Sequence, residues 1–220
     1  MSDEDDSPRL YLMLPAGLAP ADAAKRLGDA LSGGDIACVF APTSHLDEDA
    51  ARALVKACLP LCEDAGAALL VSDPALKSAG CDGVHLDLRN AEPAKALVAA
   101  AKLLKPKFIL GAGGLRNRHS AMEAGECDVD YVMFGEPAPD GFVPPLAQTL
   151  ERVEWWTEIF NVPCVAYSAS LADIAELAAA SPEFIAVRDV VWQHEQGAAA
   201  GVREALQAIA SSRARAEASR

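Results

Sequence analysis

Short apolar runs of four to seven residues recur along the chain, and longer alanine-rich stretches with helical spacing separate most of them. LYLML over 10–14 predicts a first strand, and 19–31 a helix. DIACVF over 35–40 is the next strand. The helix over 47–65 has Asp47 as its N-cap and Gly66 as its stop. AALLVS over 67–72 follows, then PALKSAG over 74–80, which leaves room only for a short helix. GVHL over 83–86 is the fourth strand. A helix over 91–104 carries Pro93 in its first turn, where proline is tolerated. KFILGA over 107–112, DYVMFG over 130–135, VPCVAYS over 162–168 and FIAVRD over 184–189 complete the strands. Helices over 117–125, 146–160, 171–180 and 202–213 alternate with them.

Repeated strand–helix units imply a parallel sheet covered on both faces. Eight of them predict an α/β fold of one domain, a closed (β/α)8 TIM barrel. The rival is an open doubly wound sheet, which carries a glycine-rich loop after its first strand. Here that position reads PAGLAP over 15–20, which is no phosphate fingerprint. The domain reading is an acidic disordered tail over 1–9, the barrel over 10–212 and a polar tail over 213–220.

Barrel chemistry sits where strands end at the C-terminal rim. The rim candidates for ligand binding are Ser72, Asp87, Arg89, Gly113, Gly114, Arg116, Ser168 and Arg188. Two residues are candidates for catalysis. Glu136 follows FG at a strand end and can act as a general base if burial favours its protonated form. His85 shares the alternation of Asp87, so both point into the barrel or its mouth. His85 also reads as a buried histidine whose ring nitrogens are satisfied locally, and that reading is the preferred one. Asp73, before Pro74, reads as a helix N-cap or as a magnesium carboxylate. GAGG over 111–114 can cradle a phosphate through backbone N–H groups, although it lacks the spacing of a known phosphate fingerprint.

Composition narrows the partners. Of 220 residues 51% are hydrophobic, enough for a sizeable core, yet no apolar run nears the 18 or so residues of a membrane span. The net charge is −13, with four acidic residues over 3–6, which argues against nucleic acid. A phosphorylated ligand would therefore need local arginines, a metal ion or backbone N–H groups. The polar, acidic N-terminus does not resemble a secretory signal, so a cytoplasmic protein is expected. Six cysteines are scattered without metal-site spacing, and Cys58 and Cys62 read as buried thiols on a helix.

Four segments taken together resemble the thiamine phosphate synthase family, including its thiazole tautomerase branch. They are LYLML, LLVSDPALKSAGCDGVHLDL, DVDYVMFGEP and NVPCVAYSAS. The resemblance runs over roughly 10–210, and GCDGVHL followed by VDYVMFG is its most specific part. It implies a (β/α)8 barrel that joins a hydroxymethylpyrimidine diphosphate to a thiazole phosphate with Mg²⁺, or that isomerises a thiazole carboxylate phosphate by proton transfer. It also allows a small-molecule ligand and a homo-oligomer. Several positions depart from the family pattern. CVFAPT holds no basic residue where the family's diphosphate-binding arginine and lysine follow the second strand. Ser72–Asp73 keeps only the carboxylate of an N-D pair, and neutral Asn90 falls near the second magnesium aspartate. Gly113 stands for a serine, PAPDGFVPP holds no lysine, and Ser168–Ala169 replaces a G-G loop. Glu136 stands where the tautomerase branch has a histidine. Three functions follow: a divergent barrel that binds a small heterocyclic or phosphorylated ligand, an active synthase with rewired contacts, or a pseudoenzyme acting through protein contacts.

Overall fold

The structure is a computed structural model that describes residues 7–218, with side chains through 212. Eight parallel strands close in chain order: β1 Arg9–Met13, β2 Cys38–Ala41, β3 Ala68–Val71, β4 Gly83–Asp87, β5 Ile109–Gly113, β6 Tyr131–Phe134, β7 Cys164–Ser168 and β8 Phe184–Val187. β8 returns to β1 with Phe184 opposite Arg9. Outside the barrel lie α1 Pro20–Leu31, α2 Glu48–Ala65, α3 Pro93–Leu104, α4 Arg118–Gly125, α5 Leu146–Ile159, α6 Ile174–Ala179, α7 Asp189–Trp192 and α8 Ala198–Ala218. A 3-10 turn over Pro74–Ala79 takes the place of a helix between β3 and β4.

Local chemistry sets these boundaries. The Asp47 side chain accepts the Ala50 N–H at 2.8 Å at the head of α2, and Gly66, at φ 69°, ends the helix in the left-handed region that glycine tolerates. Asn117 and Ser120 form a reciprocal capping box on α4. Two helical features were not expected. The short α7 turns the chain after β8 and lets the Trp192 indole donate to the carbonyl oxygen of Met13, tying the end of β8 to β1. α8 begins at Ala198, before 202, and runs on through most of 213–220, where a polar tail was expected. Its first N–H groups, those of Ala198 and Ala199, are accepted by Asp29 on α1, a cap that comes from far along the chain. Alanine, arginine and glutamate beyond 212 are good helix formers with no breaker among them. At the other end, residues 1–6 of the expected acidic tail lie outside the described residues, and β1 already starts at Arg9.

Strand alternation sorts the core into two layers. Leu10, Leu12, Val39, Leu69, Val84 and Leu110 face the helices, whereas Tyr11, Phe40, Leu70, Tyr131, Met133 and Val165 fill the barrel. Among the described residues no helix is long and apolar enough to cross a membrane.

Cys58 and Cys62 are buried on α2, where burial pushes their thiols up to about 11 and about 12. A raised thiol keeps its proton in the folded chain after the unfolded chain has released it. The unfolded state then binds fewer protons, so stability falls as pH rises. This contribution is complete below the ordinary thiol value of 9.0 and disappears as the pH climbs through the folded values. The urea midpoint is therefore expected to drop between about pH 9 and about pH 11, more in the wild type than in Cys58→Ala/Cys62→Ala. A midpoint that stays level or rises over that interval would contradict this linkage.

Candidate active site

β4 carries His85 and Asp87 on the same inward row, so both rise toward the rim, one above the other. β6 ends at Phe134, and the next residue, Gly135, has a φ of 82° that turns the chain so that Glu136 folds back over the barrel mouth. The two side chains meet there: His85 Nε2 lies 2.9 Å from Glu136 Oε2, with His85 2% and Glu136 7% exposed. Gly113 on β5 makes the meeting possible, since a Cβ at that position would lie 2.5 Å from both His85 Nε2 and Glu136 Oε2.

The pair extends in both directions. Above it, Arg89 Nη2 donates to Glu136 Oε1 and to the Glu136 carbonyl oxygen, each at 3.0 Å. Arg89 Nη1 donates to Asp87 Oδ2 at 2.7 Å, and the Arg89 N–H to Asp87 Oδ1 at 3.0 Å. Below it, His85 Nδ1 is 2.8 Å from the Tyr131 hydroxyl, which is 3.0 Å from that of Tyr11. Burial is the largest cause that pushes both phenols far up, so they remain protonated.

This arrangement fixes the ring. Nε2 faces Glu136 Oε2, the oxygen of that carboxylate that Arg89 does not hold, and is assigned the proton that this acceptor takes. Nδ1 faces a hydroxyl that can donate or accept. With His85 neutral, Tyr131 donates to Nδ1 and Tyr11 donates to Tyr131. With His85 charged, Nδ1–H donates to Tyr131, and Tyr131 donates to Tyr11. The imidazole is therefore satisfied in either charge state, and no buried side-chain nitrogen or oxygen among the described residues lacks a partner.

Two cavities open on the network. A larger one, about 560 Å³, is lined by Phe40, His45, Ser72, His85, Glu136 and Arg188 among others. A smaller one, about 270 Å³, lies between the loops after β5 and β6 and is lined by Arg89, Arg116, Glu136, Gln148 and Arg152 among others. Glu136 and Arg89 border both.

The predicted site residues therefore have different neighbours. His85, Asp87, Arg89 and Glu136 form one connected network. Ser72 and Thr43 exchange hydrogen bonds at 3.1 Å, each hydroxyl accepting the other's N–H, across the ends of β2 and β3. Asp73 is exposed and accepts the Ala75 N–H at 2.8 Å, capping the 3-10 turn. Gly114, at φ 69°, lies under Asp87 and Arg89, where a Cβ would stand 2.2 Å from Asp87 Oδ1. On their Cβ sides, Gly113 and Gly114 thus give room to protein side chains. The Ser168 hydroxyl is buried and donates to the Ser170 carbonyl oxygen at 2.7 Å. Arg188 forms a bidentate pair with Asp189 at 2.9 and 2.8 Å. Arg116 is exposed and donates to Asn90 Oδ1 at 3.2 Å.

Sequence reasoning missed Tyr131, Tyr11 and Arg152. The tyrosines had a signal, because Tyr131 shares the parity of Met133 and Tyr11 that of Met13, on rows that face inward. Arg152 had none. It sits mid-way along α5 and reaches the rim by donating to the carbonyl oxygens of Leu115 and Arg116.

A parallel barrel with a buried pair of titratable groups at its C-terminal mouth places those groups at the face where barrel enzymes carry their active sites. The model of the thiamine monophosphate synthase family matches residues 10–191. The thiamine-phosphate synthase of Hyphomonas neptunium is 36% identical over 207 residues, covering 89% of this chain and 90% of that protein. Its counterpart in Rhodospirillum centenum is 35% identical over 200 residues, covering 89% and 95%. Among solved structures, thiamine phosphate pyrophosphorylase from Pyrococcus furiosus shares the fold at a TM-score of 0.75 and 22% identity, over 93% of this chain and 96% of that one. The chain belongs to the thiamine monophosphate synthase family.

The Mg²⁺ that the family resemblance implies meets a poor set of donors. Asp73 uses one oxygen to cap the 3-10 turn, and the amide of Asn90 already accepts a guanidinium. Both oxygens of Asp87 take donors from Arg89. Among the described residues no three His, Cys, Asp or Glu side chains converge as a metal site.

Proposed function

We propose that this member of the family is a cytoplasmic barrel that binds a small heterocyclic or phosphorylated ligand and moves a proton on it with Glu136 and His85. The observation that carries the proposal is the buried pair at 2.9 Å, bordered by both cavities. Each Glu136 oxygen takes one hydrogen bond and retains a second lone pair. The carboxylate can thus accept a ligand proton while Arg89 and His85 hold its plane. His85 can change charge without losing a partner, because the two phenols reverse their hydrogen bonds. General acid–base groups placed in this way contribute about 10²–10⁴-fold.

The carboxylate pairing of Arg89 and Arg188 argues against these two arginines holding a diphosphate of the family type. Arg188 is paired with Asp189, and Arg89 with Asp87 and Glu136. A second reading is an active synthase with rewired contacts, favoured by the synthase names of the relatives. Under it Asp73 would hold Mg²⁺, and Asp73→Ala would abolish product.

The test is deuterium exchange from solvent into thiazole carboxylate phosphate, followed by NMR. The wild type is expected to catalyse exchange, and Glu136→Gln to lower the rate about a hundredfold or more. Equal rates in the two proteins would remove Glu136 from the chemistry.

A further inference from the structure

The charges around the smaller cavity are unlike those of the rest of the chain. The protein carries a net charge of −13, yet three guanidiniums border this cavity of about 270 Å³. Arg89 is neutralised by Asp87 and Glu136. The other two have neutral partners: Arg116 the amide oxygen of Asn90, Arg152 the carbonyl oxygens of Leu115 and Arg116. A guanidinium has five donors. Arg116 uses one of them in the bond to Asn90, and Arg152 uses two in its bonds to the carbonyls.

The positions of these two groups are set by the fold. Arg152 projects from α5 and is held against the loop after β5 by its two carbonyl acceptors. Burial lowers its pKa from the ordinary arginine value, so its charge sits where water screens it less. Arg116 stands on the same loop, two residues past Gly114. Gln148, one turn before Arg152 on α5, adds an amide to the wall.

We infer that Arg116 and Arg152 form an anion site that works without a metal ion and takes the phosphate or carboxylate group of a small ligand. The guanidinium of Arg116 beside Asn90 supplies a positive charge at a cavity whose bordering carboxylate, Glu136, is already held by His85 and Arg89. A dication drawn there would meet the charges of Arg116 and Arg152, with Asp73 and Asp87 outside the cavity lining. An anion would meet donors with the forked geometry that suits phosphate and carboxylate oxygens. Glu136 borders the same cavity, so a ligand anchored through its anion would place its remaining atoms beside the proposed base. The inference rests on the reading that the mouth binds a small ligand, and it does not require that Glu136 moves a proton.

Titration of the full chain with inorganic phosphate, followed by calorimetry or by ³¹P line broadening, tests it. Saturable binding is expected, equal in EDTA and in excess Mg²⁺, and unchanged in Asp73→Ala. Arg116→Ala is expected to weaken it about tenfold and Arg116→Glu further, since a charge-assisted pair is lost and then reversed. Arg116 is exposed, so these variants are expected to fold, which circular dichroism checks. Glu136→Gln should bind phosphate at least as tightly as the wild type, since it removes a negative charge from the cavity border, even where proton exchange is lost, which separates this site from the proton-transfer reading. Binding that needs Mg²⁺, binding unaffected at Arg116, or no saturable binding would each overturn the inference.

Discussion

Glu136→Ala is expected to lose about 3 kcal/mol of folding stability, toward the lower end of what breaking a buried ion pair costs. The substitution removes the acceptor of both His85 Nε2 and Arg89 Nη2. His85 is 2% exposed, so water cannot fully replace the carboxylate. Arg89 retains Asp87, which keeps the loss from being larger. Glu136→Gln is expected to cost far less, about 1 kcal/mol. Its amide oxygen can accept from Arg89 while its NH₂ donates to Nε2, provided that the ring proton moves to Nδ1. The Tyr131 hydroxyl permits this, because it can accept as readily as donate. Urea denaturation of the two variants measures the difference. Equal and small losses would mean that the pair is better hydrated than its burial indicates.

Gly111→Ala tests the lower half of the network. The added Cβ would lie 2.1 Å from Tyr131 Cζ and 2.3 Å from its hydroxyl oxygen, far inside contact distance. The phenol has little room to retreat, with the Tyr11 hydroxyl at 3.0 Å and the His85 ring stacked at 5.6 Å between centroids. Overpacking of a filled core costs about 1–3 kcal/mol, and this site should reach the upper end. A second change, Tyr131→Leu, should recover part of the loss, because it removes the atoms that the new methyl strikes. A neutral Gly111→Ala would show that the barrel interior yields more than its packing implies.

Much of the fold was legible because strand and helix periods differ along the chain. GVHL and DYVMFG predicted β4 and β6 to within one or two residues, and Asp47 and Gly66 marked both ends of α2. The start of α8 was hidden because its cap is Asp29, about 170 residues away. α7 was hidden because four residues show no helical period. At the site, parity on β4 placed His85 and Asp87 together, and the rim rule placed Arg89 and Glu136 near them. The bond between His85 and Glu136 was not legible, since it depends on Gly113 and on the turn at Gly135, 22 residues further on. The preferred reading of His85 as a locally satisfied histidine describes its hydrogen bonds, and one of those partners is the other candidate for catalysis.

The proposed function is proton transfer on a small ligand at the barrel mouth in place of metal-assisted diphosphate chemistry. The most direct measurement incubates the purified protein with hydroxymethylpyrimidine diphosphate, thiazole phosphate and Mg²⁺ and follows thiamine phosphate. The account predicts no product above the uncatalysed level. Product formed at a useful rate, and lost in Asp73→Ala, would contradict it and establish the chain as a working synthase.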